Sequence, residues 1–149
     1  MLRSLLLLSC MLAVASAADF TGTWKLNTGQ SKYTGIPAPK ELTVTYKPNG
    51  TGFDYMAKGI SADGQAISSS FTYVKDGQEI KTTGFPNWDT IVIKGGMSGK
   101  SVAQMKRGGK MIGSVTRTLS ADEKKMTLSG KITTPDGKPA TYYSVYDKQ

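Results

Sequence analysis

The sequence predicts an all-β chain, a single antiparallel up-and-down barrel of eight to ten strands. Three observations predict it. Turn-forming residues recur roughly every 13 or 14 positions along most of the chain. The residues between them are strand formers that alternate with period two. No segment after the N-terminal leader has helical periodicity.

Residues 1–17, MLRSLLLLSCMLAVASA, come first and stand apart. Arg3 supplies a positive start, Leu5 to Val14 is an uncharged apolar run, and Ala15-Ser16-Ala17 is an A-x-A cleavage signature. This is the pattern of a secretory signal peptide, and the run is too short to span a bilayer. Leu8-Ser9-Cys10 resembles the end of a lipobox, but it would strand the apolar MLAVASA behind the modified cysteine. The expected mature chain is therefore residues 18–149, one domain exported to the periplasm or the extracellular space. Removing Arg3 and Cys10 lowers the net charge from +8 to +7 and leaves no cysteine. Such a domain must stand on its core and backbone pairing, without disulfides.

The first strand is expected at Gly22-Thr23-Trp24-Lys25-Leu26. Thr28 to Lys40 follows as the one long connection. Pro37 and Pro39 exclude a pair of helices there, because each proline breaks a helix and pushes its predecessor toward extended geometry. Beyond it, Asn49-Gly50, Asp63-Gly64, Asp76-Gly77, Gly95-Gly96, Gly108-Gly109, Ser120-Ala121-Asp122 and Asp136-Gly137 mark tight turns. The longer interval from Gly77 to Gly95 contains Gly84-Phe85-Pro86-Asn87, so two short strands are expected in it. A meander of this length leaves two open edges unless it closes on itself, and closure gives a barrel.

Alternation assigns the faces. The inward set is Leu42, Val44 and Tyr46; Phe53, Tyr55 and Ala57; Ile67, Ser69, Phe71 and Tyr73. The later strands add Met111, Gly113, Val115, Arg117 and Leu119, then Met126, Leu128, Gly130 and Ile132, then Tyr142, Ser144 and Tyr146. A solid core favours aliphatic residues throughout. This mixture of Tyr, Ser, Gly, Met and one Arg fits a lined interior with room for one small ligand.

Composition excludes several function classes. The chain has no histidine, so Ser-His-Asp, Cys-His and His-ligated metal sites cannot be built. The acidic residues sit mostly in turns, where Asp serves the backbone. Asp54 and Asp89 are the strand-borne exceptions, and neither lies on the apolar face. No pair of carboxylates converges, so the chain reads as a binder and not an enzyme, with no cofactor and no metal. The lysines are scattered, with no run of five basic residues, which argues against nucleic acid. Gly95 to Ser101 lacks the G-x-x-x-x-G-K-[ST] spacing of a phosphate loop.

Gly22-Thr23-Trp24-Lys25-Leu26 at the start and Val145-Tyr146-Asp147-Lys148 at the end resemble the calycin superfamily, the lipocalins and fatty-acid-binding proteins. The chain most resembles bacterial secreted lipocalin-like proteins. The resemblance implies a barrel around a small apolar ligand. It implies that Gly22 and Trp24 close one barrel end, with a late-strand arginine near the tryptophan, for which Arg117 is the candidate. Fatty-acid-binding proteins also carry R-x-Y in the last strand. Tyr146 matches its tyrosine, but Ser144 stands in the arginine's place. Their helical lid has no counterpart in Thr28 to Lys40.

Arg117, Tyr55, Phe71, Tyr73, Tyr142 and Tyr146 are the candidate ligand-binding residues. Arg117 has two readings: a cation for a ligand carboxylate or phosphate, or a structural arginine stacked on Trp24 and bonded to carbonyls at the barrel base. The tyrosines offer apolar area with a polar tip. Phe85 and Trp88 are expected over one mouth, and Tyr33 with Ile36 over the other. The expected function is binding of a small hydrophobic or amphipathic, lipid-like ligand by a monomer. The alternative is an envelope or interaction module that uses its basic outer face and mouth loops, with weak association to anionic membranes.

Overall fold

The computed structural model describes residues 19–149. The leader expected over residues 1–17 lies outside the described residues. Regular structure in the described chain is entirely β. The strands are β1 (Gly22–Leu26), β2 (Lys32–Thr34), β3 (Glu41–Asn49), β4 (Gly52–Ile60), β5 (Ala66–Tyr73), β6 (Glu79–Lys81), β7 (Thr90–Lys94), β8 (Lys100–Arg107), β9 (Lys110–Leu119), β10 (Lys125–Thr133) and β11 (Pro139–Lys148). Ten of them form one antiparallel path in the order β5-β4-β3-β1-β11-β10-β9-β8-β7-β6. The two path ends meet at Ser70 and Thr83, whose N–H groups each donate to the other's carbonyl at 2.9 Å. The barrel is therefore nearly closed, and the Gly77 to Gly95 interval holds two strands as expected.

β1 lies between β3 and β11, so the first and last strands of the domain are neighbours. The long connection holds an unexpected element. β2 pairs with Thr141–Tyr143, beyond the stretch of β11 that β1 covers. In effect the first strand is interrupted at Asn27–Ser31 and then resumes. Ser31 Oγ fills the break: it accepts from Val145 N–H at 2.9 Å and donates to Asn27 O at 2.7 Å. Three residues are too few to show alternation, so the sequence pattern could not reveal this strand.

A second departure lies between β8 and β9. Met105 faces Gly113, but Lys106 faces Met111, which leaves Ile112 as an extra, bulged residue. A bulge reverses the facing of what precedes it. Ile112 is consequently buried, and Met111, expected inward, is 58% exposed. Asp89 also departs from expectation. It precedes β7, outside any strand, and accepts from Gly108 N–H at 2.9 Å.

The β1–β3 register and the hairpins put the 49–52, 74–78, 95–99 and 120–124 connections at one end of the barrel. That end is closed by side chains. Phe20, Trp24, Val44, Phe53 and Met126 are almost wholly removed from solvent. Trp24 Nε1 donates to Phe20 O at 2.9 Å, so the buried indole is satisfied. Gly22 adopts φ +115°, a conformation suited to glycine, as the chain enters β1 two residues before this tryptophan.

Trp24→Ala should lower unfolding free energy by about 3–5 kcal/mol, the usual cost of a large-to-small change in a close-packed site. Urea titration followed by Trp88 fluorescence measures it. A loss under 1 kcal/mol would show that Trp24 does not seal the barrel.

Candidate ligand cavity

Above this floor the barrel encloses a cavity of about 870 Å³. Its lining is set by strand alternation. One wall is aliphatic, built by Ile91, Ile93, Ala103, Val115 and Leu128. A second wall, reaching across the β5–β6 seam, is aromatic. Trp88 stacks on Phe85 at 4.9 Å, Phe85 lies 6.0 Å from Tyr55, and Tyr55 stacks on Phe71 at 4.6 Å. Phe71 in turn meets Phe53 near the floor, at 6.2 Å.

Polar groups enter mainly as hydroxyls. Tyr33, Tyr46, Tyr55, Tyr142 and Tyr146 all line the cavity, with Ser144 between the last two. Tyr33 Oη and Ser144 Oγ are 2.7 Å apart. Tyr33 faces Tyr142 in register, and their rings stack at 6.4 Å. Gly130 makes room for Tyr142, because a Cβ on it would fall 2.3 Å from the tyrosine ring. Burial pushes the phenols of Tyr33, Tyr46, Tyr55, Tyr142 and Tyr146 up from their usual range. For Tyr55, Tyr142 and Tyr146 the neighbouring tyrosines add to the effect of burial. All five are neutral hydroxyls near pH 7.

Arg117 is the one charged side chain on the described lining. It is 4% exposed. Its Nη2 donates to Gly96 O at 2.8 Å and to Ser98 O at 2.9 Å. Its guanidinium carbon sits 3.8 Å from the Phe20 ring centroid and 5.3 Å from that of Tyr46. The carbonyl bonds expected of a structural arginine are present, but the stacking ring is Phe20 and not Trp24. Arg117 Nε is buried with no hydrogen-bond partner among the described residues. Phe20 lies ahead of the first strand, where alternation assigns no facing, so sequence reasoning missed it.

Of the candidate residues, Arg117, Tyr55, Phe71, Tyr142 and Tyr146 meet on this cavity. Tyr73 does not join them. It faces inward below the cavity, and its hydroxyl donates to Asp76 Oδ1 at 2.7 Å. Burial, reinforced by the Asp76 charge, pushes its phenol up to about 12. Trp24 lies in the floor, off the lining. The mouth also differs from expectation. Tyr33, Ile36, Phe85 and Trp88 border the same opening, because the connections after β2 and β6 both emerge at the end opposite the floor. Arg107 ties this rim together: its Nη1 donates to Asn87 O at 2.7 Å and its Nη2 to Thr134 O at 3.3 Å.

No family model and no curated protein matches the chain by sequence. Among solved structures it is similar to the zebrafish ileal bile acid-binding protein complexed with cholic acid, with a TM-score of 0.51. That match has 15% identity and covers 87% of this chain and 98% of the other. The two chains share their fold, a nearly closed antiparallel β-barrel. A second similar structure is the siderocalin Ex-FABP, at 9% identity and a TM-score of 0.40, covering 87% of this chain and 74% of the other. Within this barrel the floor carries the buried cation and the mouth is ringed by loops, with no helix in the described residues.

The floor loop should respond to acid. Asp76 accepts from Tyr73 Oη, Gly96 N–H and Gly95 N–H, and these bonds hold its carboxyl below the ordinary 3.8. A depressed carboxyl stabilises the fold above its unfolded value, and that contribution vanishes as pH falls through the lower folded value. Asp76→Asn should therefore be less stable than wild type at pH 7, with the gap closing below about pH 4. Thermal melts across pH measure this; a gap that stays constant with pH would contradict it.

Proposed function

We propose that the protein is a non-enzymatic binder that carries a small hydrophobic or amphipathic, lipid-like ligand in its interior. The cavity carries this reading. Its volume falls in the range of small-molecule sites, and its walls are mostly apolar with a few convergent polar groups. Burying roughly 300 Å² of apolar ligand surface contributes about 7 kcal/mol before association costs. The zebrafish protein of the same fold was solved with cholic acid, which supports an interior ligand here.

The polar end of an amphipathic ligand would lie at the floor. Arg117 has no carboxylate within ion-pair distance among the described residues, and its Nε lacks a partner. Tyr146 is on the same lining. A ligand carboxylate or other acceptor near this pair would complete the arginine's coordination.

An apolar fluorescent probe should bind the purified protein, and native mass spectrometry should find lipid-like adducts. Val115→Trp, which fills the middle of the aliphatic wall, should weaken probe binding at least about tenfold while leaving the fold intact. A protein that takes up no probe and carries no adduct would sink the ligand reading.

We also propose that residues 1–17 direct export and are removed, so that the working protein begins at Ala18 in the periplasm or outside the cell. Intact mass of the exported protein tests this. A secreted form that retains Met1, or one cut far from Ala17, would refute it.

A further inference from the structure

Several hydroxyls on the cavity wall are left open. Tyr33 and Ser144 satisfy each other, and Tyr46 lies against the Arg117 guanidinium. The hydroxyls of Tyr55, Tyr142 and Tyr146 make no hydrogen bond among the described residues. Tyr142 and Tyr146 share one face of β11, and Tyr55 faces the same space from β4. Tyr55 and Tyr142 lie inside their strands, along the side of the cavity, and Tyr146 lies lower, level with Leu26 and Met126.

We propose that the ligand carries oxygen functions along its apolar body, not only at one end, and that the hydroxyls of Tyr55, Tyr142 and Tyr146 bind them. This rests on the reading of the cavity as a ligand site. Each phenol both donates and accepts, which suits hydroxyl or carbonyl oxygens. Burial pushes the phenols of Tyr55 and Tyr146 up, and Tyr142 adds to it in both, as expected of hydroxyls that share one space. Among the described residues no lysine, aspartate or glutamate lines the cavity, so ionic groups along the ligand body would find no counter-charge there. A plain hydrocarbon would displace water from the phenols and leave them unpaired. One unpaired hydroxyl costs about tenfold in affinity, and a site built for ligand oxygens rejects the analogue lacking them.

The test uses octadecanoic acid and its mid-chain dihydroxy derivative, which share chain length and carboxyl group. Each competes with diphenylhexatriene, a fluorescent hydrocarbon with no polar atom. The dihydroxy acid should compete at least about tenfold better. Tyr55→Phe combined with Tyr142→Phe should erase that advantage. The same double variant should bind diphenylhexatriene several-fold tighter than wild type, because the two stranded hydroxyls are gone. Both changes keep ring volume and break no bond within the described protein. Equal competition by the two acids overturns the inference, as does a hydroxyl preference or a hydrocarbon affinity that survives both substitutions unchanged. Absence of any probe or acid binding to wild type overturns the cavity reading itself, and this inference with it.

Discussion

Arg117 is a cation removed from water without an acidic partner among the described residues. A buried charge is tolerated only where dipoles or aromatic faces replace its hydration. Here two carbonyls from the 95–99 loop and the face of Phe20 do so. The same loop turns its amides the other way, onto Asp76. The loop thus lies between a carboxylate outside and a guanidinium inside, its N–H groups answering one and its carbonyls the other. Phe20 is fixed in turn by the Trp24 indole, which donates to its carbonyl. Arginine, floor loop, Phe20 and Trp24 therefore form one connected unit. Among the described residues this unit closes the floor end of the cavity.

A closed floor shapes what lies above it. The mouth connections add Ser61, Gln65 and Asn87 to the lining, and the strands supply its tyrosines. β11 supplies Tyr142, Ser144 and Tyr146 on one face by alternation. The interrupted first strand supplies Tyr33: had β1 run on without its break, another residue would face Tyr142. Gly130 supplies space where Tyr142 needs it. The phenol-lined wall thus depends on one inserted loop, one pair of strand registers and one missing Cβ.

Hairpin turns and period-two alternation were enough to orient most inward residues. Tyr55, Phe71, Arg117, Tyr142 and Tyr146 face the cavity because the pattern is unbroken around them; the β9 bulge at Ile112 lies upstream of Arg117. The failures have separate physical causes. Alternation gives facing but not depth, so Tyr73 looked equivalent to Phe71 although it sits below the cavity, bound to Asp76. A bulge between β8 and β9 exchanged Met111 for Ile112, and bulges leave no reliable mark in a single sequence. The placing of Tyr33 and Ile36 at a mouth of their own failed for lack of topology. Only the β2–β11 pairing and the hairpin order show that both aromatic loops rise at one end.

The aromatic wall also has a part in closing the barrel. Backbone pairing between β5 and β6 amounts to the two hydrogen bonds at Ser70 and Thr83. Beside that bridge a surface groove runs along the seam, bordered by Ser70, Thr72, Lys81 and Thr83. Tyr55 and Phe71 border this groove and the interior cavity alike. Their rings, stacked at 4.6 Å and within 11° of parallel, stand between the two spaces. Side-chain packing completes a wall that main-chain bonding leaves open. Aromatic rings suit that task because they bring large rigid area at small entropic cost. The choice of Tyr55 and Phe71 is thus constrained twice, from outside by the seam and from inside by the ligand space. A smaller residue at either position would join the groove to the cavity and let water reach the interior from the side.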